Sequence, residues 1–98
     1  MIRHIVFFTA RDTRDIEAIR QGLSALAEIP HSSRFEVALN TKVDPFGNQV
    51  DVVVYGEFAD AAALAAYKAH PIYEETTRRV KPMRELRLSA DIESPSAA

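Results

Sequence analysis

The chain has 98 residues, 47% of them apolar and 27% charged, which is one domain's worth of sequence with a globular rather than a disordered or collagen-like composition. Lys and Arg number 12 against 14 Asp and Glu, for a net charge of -2, so there is no basic excess to attract nucleic acid. There is no cysteine, which excludes disulfide frameworks, thiol catalysis and cysteine-ligated metal centres, and no apolar run approaches the ~20 residues of a membrane span.

Residues 2–9 (Ile-Arg-His-Ile-Val-Phe-Phe-Thr) are rich in β-branched and aromatic types and predict a strand. His4, Val6 and Phe8 fall on one face, Ile5 and Phe7 on the other. Large apolar groups on both faces imply that both sides of the sheet are covered. The same opening lacks the architecture of an export leader, so the expected setting is cytoplasmic. Asp12-Thr13-Arg14-Asp15 then supplies short polar side chains suited to capping a helix start. Ile16, Ile19, Leu23 and Leu26 recur at helical spacing, and Pro30 ends the run. Gly22 lies within it, where it marks either close backbone packing or room for a ligand.

Residues 34–44 alternate, with Phe35, Val37, Leu39, Thr41 and Val43 opposed to Glu36, Ala38, Asn40, Lys42 and Asp44, and predict a second strand. Asp44-Pro45-Phe46-Gly47-Asn48 carries turn residues, so a hairpin follows. The returning strand covers 50–58, with Val50, Val52, Val54, Gly56 and Phe58 inward and Val53 and Tyr55 opposite. Gly56 leaves space there or permits a bulge. Asp60 caps an alanine-rich helix over 61–69. His70-Pro71 interrupts it, because the residue before proline avoids the helical region while proline itself suits a new first turn. A further helical segment spans 72–80 and a last strand 84–92. Residues 1–93 are therefore expected to form a single domain, and the small polar residues 94–98 a flexible tail.

The order β-α-β-β-α-β, with the second helix broken, predicts an α+β fold. It is the ferredoxin-like arrangement, with a four-stranded antiparallel sheet and helices on one face. Helices cover only one side, yet Ile5, Phe7, Ala38, Val53 and Tyr55 point to the other. A second copy packed sheet to sheet is the economical cover, so a homodimer through the sheet faces is expected.

Chemical motifs are few. There is no glycine-rich phosphate loop, nucleophile elbow or His-Glu-x-x-His. His4, His31 and His70 are not at metal-ligand spacing, so neither a metal nor a cofactor is expected. Ser32 and Ser33 have no evident base, and Arg78, Arg79 and Lys81 read as a solvated helix end. The one constellation is His4, Tyr67, His70 and Tyr73, two imidazoles and two phenols placed near an apolar space between helix and sheet. Such groups exchange protons near neutrality; equally, they are half-buried core residues with a satisfied polar tip.

The opening Ile2-Arg3-His4-Ile5-Val6-Phe7-Phe8, Phe58 at the end of the third strand, and Tyr67-x-x-His70-Pro71 resemble the stress-responsive A/B-barrel (Dabb) family over nearly the whole chain. The resemblance implies a dimeric α/β barrel with a cavity between helices and sheet. Val6, Phe8, Gly22 and Val54 would line that cavity beside His4, Tyr67, His70 and Tyr73. The polyketide cyclases of that family carry a His-Pro-x-His signature whose second His is the general base, with an upstream Tyr orienting the substrate. Here Tyr67 matches the orienting Tyr, His70 the first His and His4 the first-strand His. Tyr73 occupies the position of the base, and Gly22 stands where the cyclase has an aromatic side chain. Two readings follow. One is a small dimeric protein binding a small apolar or aromatic ligand. The other is a cofactor-free enzyme (cyclase, isomerase or monooxygenase) with His70 or His4 as acid/base and Tyr67 assisting.

Overall fold

The predicted first strand forms as β1, Ile2–Ala10, and it takes a central position in the sheet. It pairs antiparallel with a strand on either side, in the sheet order β2-β3-β1-β4. The structure is a computed structural model and describes residues 1–95; the predicted tail falls partly on 96–98, which lie outside the described residues. Ser94 N–H donates to Met1 O at 2.8 Å, extending the β1–β4 ladder by one step.

Asp12 Oδ1 accepts from Arg14 N–H at 2.9 Å and starts a 3-10 turn over Thr13–Asp15, which leads into α1, Ile16–Ser24. A second 3-10 turn, Ala25–Glu28, tightens the end of the helix. Of the stripe predicted from spacing, Ile19, Leu23 and Leu26 are in the core and Ile16 packs partly buried against it.

The second strand is shorter than its alternation suggests. β2 spans Arg34–Leu39 and β3 spans Val52–Phe58, and residues 40–51 form an arm in place of a tight hairpin. Asn40 diverts the chain: its Nδ2 donates to Val50 O at 2.7 Å while its Oδ1 accepts from Lys42 N–H at 3.0 Å. Lys42 takes a left-handed backbone, φ 58°. Buried Asp51 fastens the base of the arm, accepting from Ala10 N–H at 2.8 Å and Lys42 Nζ at 2.5 Å. At Gly56 the register is unbroken, so there is no bulge; a Cβ there would stand 2.9 Å from the Phe58 ring and 3.2 Å from Phe35. The missing side chain makes room for two aromatic rings.

Asp60 Oδ1 accepts from Ala63 N–H at 2.8 Å and caps α2, Ala61–Ala69. α3, Pro71–Val80, begins with proline in its first turn, as predicted. β4, Arg84–Glu93, closes the sheet. The fold is α+β and ferredoxin-like: one four-stranded antiparallel sheet with its helices on a single face. Its core is Val6, Phe8, Val52, Val54 and Phe58 from the sheet against Ile19, Leu23, Leu64, Tyr67 and Val80 from the helices. Among the described residues no helix is long and apolar enough to cross a membrane.

The other face of the sheet is bare. It carries Ile5 and Phe7 from β1, Val53 and Tyr55 from β3 and Ala38 from β2, as anticipated. The register adds Leu86, Leu88 and Ile92 from β4, opposite Thr9, Phe7 and Arg3. Phe7, Leu86, Leu88 and Ile92 are each 40% exposed or more.

Candidate functional site

A small cavity of about 30 Å³ lies between the sheet and α3, room for a water molecule. Val6, Phe8, Val54, Leu23, Leu26 and Val80 form its apolar wall. His4, Tyr67, Tyr73, Thr76 and Arg87 provide the polar lining, and Thr77, exposed on α3, stands at its mouth.

His4 is its innermost polar group. The residue is 1% exposed, wedged edge-on against the rings of Phe58 and Tyr67 at 6.2 and 6.1 Å. Its Nδ1 lies 2.5 Å from Asp91 Oδ1. The two residues face each other across the β1–β4 ladder, so main-chain pairing sets the contact and little side-chain entropy is spent on it. A carboxylate on Nδ1 fixes the tautomer with the proton there and leaves Nε2 as the acceptor. Among the described residues nothing hydrogen-bonds to Nε2.

Tyr67 is packed among Phe35, Phe58 and Tyr73, with ring centres 5.9, 4.9 and 5.2 Å away. Burial pushes its phenol well above the ordinary tyrosine range, and neighbouring Tyr73 adds to the shift while Arg87 opposes it. Tyr67 therefore keeps its proton and stands in the cavity as a neutral hydroxyl. Tyr73 closes the outer side, its hydroxyl 3.5 Å from Arg87 Nη2.

Two of the eight anticipated ligand-binding residues lie elsewhere. His70 is the N-cap of α3: its backbone is extended and its Nδ1 accepts from Ile72 N–H at 3.1 Å. The helix terminus takes up the lone pair a base would use, and the ring sits on an outer groove beside Lys68, Glu74 and Lys81, which borders the cavity at Tyr73 and Thr77. It stacks edge-on with His31 at 6.4 Å. Gly22 is also outside. A Cβ there would come within 3.1 Å of Val80 Cγ2, so the glycine lets α1 approach α3 closely. His4, Val6, Phe8, Val54, Tyr67 and Tyr73 do line the cavity.

The stress-responsive A/B barrel domain model matches residues 2–94. The chain is a Dabb protein. No curated protein sequence gives a significant match. A Dabb-family protein with a ferredoxin-like fold from Mesorhizobium loti is 26% identical, with a TM-score of 0.79 over 97% of each chain. A dimeric ferredoxin-like protein of unknown function from Bacteroides fragilis is also 26% identical, with a TM-score of 0.76 over 95% of each chain. A putative antibiotic biosynthesis monooxygenase from Nitrosomonas europaea is 22% identical, with a TM-score of 0.77 over 96% of this chain and 98% of its own, and at that identity it speaks to the fold alone.

In this Dabb chain the polar site residues absent from the sequence reading are Asp91, Arg87, Thr76 and Thr77, and the apolar ones are Leu23, Leu26 and Val80. The available signal for the first two was the polar row Arg87, Ser89 and Asp91 on β4, alternating with Leu86, Leu88, Ala90 and Ile92. Only the register of β4 on β1 shows that this row shares the face of His4.

Proposed function

We propose that this Dabb protein binds a small apolar or aromatic ligand in the cavity beneath α3, and that it does so as a homodimer packed through the bare sheet faces. The observation that carries the ligand reading is the division of the cavity into an apolar wall and a short polar edge of His4, Tyr67, Tyr73 and Arg87, the usual make-up of a small-molecule site. The unliganded space is small, so entry requires Tyr73 and Arg87, both partly exposed side chains, to swing outward. The dimer reading is supported by the apolar row on β1, β3 and β4 and by the dimeric state of the similar Bacteroides fragilis protein.

Titrating the isotope-labelled protein with a panel of small aromatic compounds tests the ligand reading. Amide shifts should centre on Val6, Val54, Tyr67 and Tyr73, and Leu26→Trp, which fills the cavity, should abolish them. Shifts confined to the outer sheet face or the His70 groove would overturn it. Sedimentation equilibrium tests the dimer: the parent chain should run at twice the monomer mass and Leu88→Glu at the monomer mass.

A second reading, a cofactor-free enzyme using the same pocket, is favoured by one observation, the His4–Asp91 contact. Of the two histidines considered as the acid/base, that contact supports His4.

A further inference from the structure

The bare face of the sheet is not apolar throughout. Where β1 begins and β3 ends, one row of paired residues crosses it: Arg34 on β2, Glu57 on β3, Arg3 on β1 and Ile92 on β4. Beyond that row come Tyr55 with Ile5, then Val53 with Phe7 and Leu88, and finally Thr9 with Leu86. The charges of the first row alternate in sign, yet among the described residues none of them closes a salt bridge. The Glu57 carboxylate accepts one hydrogen bond, from Tyr55 O–H at 2.7 Å, and has lone pairs to spare. Arg3 Nε is buried with no hydrogen-bond partner, the one side-chain atom in that state among the described residues. A buried donor left unpaired is costly and calls for a reason.

A second copy on this face supplies one. Sheets packed face to face in the aligned manner keep their strands nearly parallel, and a two-fold between them runs either across the strands or along them. A two-fold across the strands sets the charged row of each copy on the far end of the other. Thr9 and Leu86 carry no charge there, and the Asp51 carboxylate is already held by Ala10 N–H and Lys42. Arg3 and Glu57 would lose water without gaining partners. A two-fold along the strands sets row on row. The sheet order β2-β3-β1-β4 puts the mid-line between β3 and β1, so each β1 then lies over the other copy's β3. We propose that Arg3 pairs with Glu57 of the partner subunit, twice about a two-fold along the strands, and that these pairs set the orientation of the dimer. The inference rests on the dimer reading and specifies its symmetry and its charged contacts. A guanidinium meeting a carboxylate edge-on donates two parallel hydrogen bonds, one of them from Nε, while Tyr55 steadies the carboxylate.

The test mixes two chains. Arg3→Glu carries carboxylates at both positions and Glu57→Arg carries guanidiniums at both, so each alone sets like charges against each other across the two-fold. Each should dimerise at least about tenfold more weakly than the parent chain in sedimentation equilibrium. An equimolar mixture should recover near-parent affinity, and native mass spectrometry should show the recovered species to be the heterodimer. Repair within one chain cannot give that result, because neither variant holds an Arg3–Glu57 pair. The chain has no cysteine, so Thr9→Cys gives a second readout that leaves both charges in place. With the two-fold along the strands the two thiols face each other, and a short bismaleimide should join them. With it across the strands they stand six residues of strand apart, roughly 20 Å, and no such product forms. Circular dichroism checks folding; if a charge variant failed to fold, the Thr9→Cys result would decide. A mixture with no preference for the heterodimer, or a Thr9→Cys dimer that resists cross-linking, would overturn the charged-row inference and leave the dimer reading standing. A parent chain that sediments as a monomer would overturn both.

Discussion

The two faces of the sheet are built from the same four strands and solve opposite problems. On the helix side the apolar wall runs from β2 through β3 to β1 and stops at β4, where Arg87, Ser89 and Asp91 take over. On the bare side the polarity is reversed. β4 contributes Leu86, Leu88, Ala90 and Ile92, continuing the apolar surface of Phe7 and Val53 out to the sheet edge. One amphipathic strand thus turns its polar side to the helix-side face, where Ser89 and Asp91 stay exposed at the sheet edge, and its apolar side to the bare face. The apolar side of that strand is the one that a second copy packed on the bare face would cover.

Substitutions on the two faces should therefore behave differently. Phe58→Ala removes a fully buried ring from the centre of the aromatic cluster and should cost about 3–5 kcal/mol in urea unfolding. A loss under about 1 kcal/mol would show that the helix-side face is not the main core. Gly22→Leu forces a side chain against Val80 and should cost about 1–3 kcal/mol; a neutral result would mean α1 and α3 separate freely.

Alkali gives a third comparison. Because burial raises the Tyr67 phenol above its ordinary value of 10.0, the unfolded chain loses this proton first. The stability tied to the neutral phenol is fully present below pH 10 and drains away as pH climbs beyond it, at no more than about 1.4 kcal/mol per pH unit. Tyr67→Phe should flatten that decline in urea midpoints measured across the alkaline range, and parallel curves for the two proteins would contradict it. The smallest effect belongs to the bare face. Leu88→Glu should change the stability of the dilute monomer by no more than about 0.5 kcal/mol, while abolishing the dependence of its unfolding midpoint on protein concentration. A large loss in dilute monomer would erase the distinction between the faces.

Much of the architecture is legible in the residues themselves. Spacing places the buried stripe of α1, Asp60 marks the start of α2, and His70-Pro71 marks the break before α3, because each is a local effect. The extent of β2 is not, since the alternation of 34–44 continues past the point where the Asn40 side chain and the left-handed Lys42 turn the chain aside. The site divides along the same line. Apolar alternation puts Val6, Phe8 and Val54 on the cavity wall. The places of Asp91 and Arg87 depend on a strand register set by the whole fold, and the capping of α3 by His70 is not visible in its letter alone.

The His4–Asp91 contact joins residues 87 positions apart, and β4 is synthesised after every other element of this fold. During translation β1 has its central place in the sheet half filled, with β3 available and β4 not yet made, so neither the dyad nor the cavity floor can exist on a nascent chain that lacks its final strand. A product truncated before Arg84 would retain the helices and the β1–β3–β2 ribbon yet have no carboxylate for His4. Completion of the His4–Asp91 pair thus coincides with completion of the apolar row on the opposite face, because one strand supplies both.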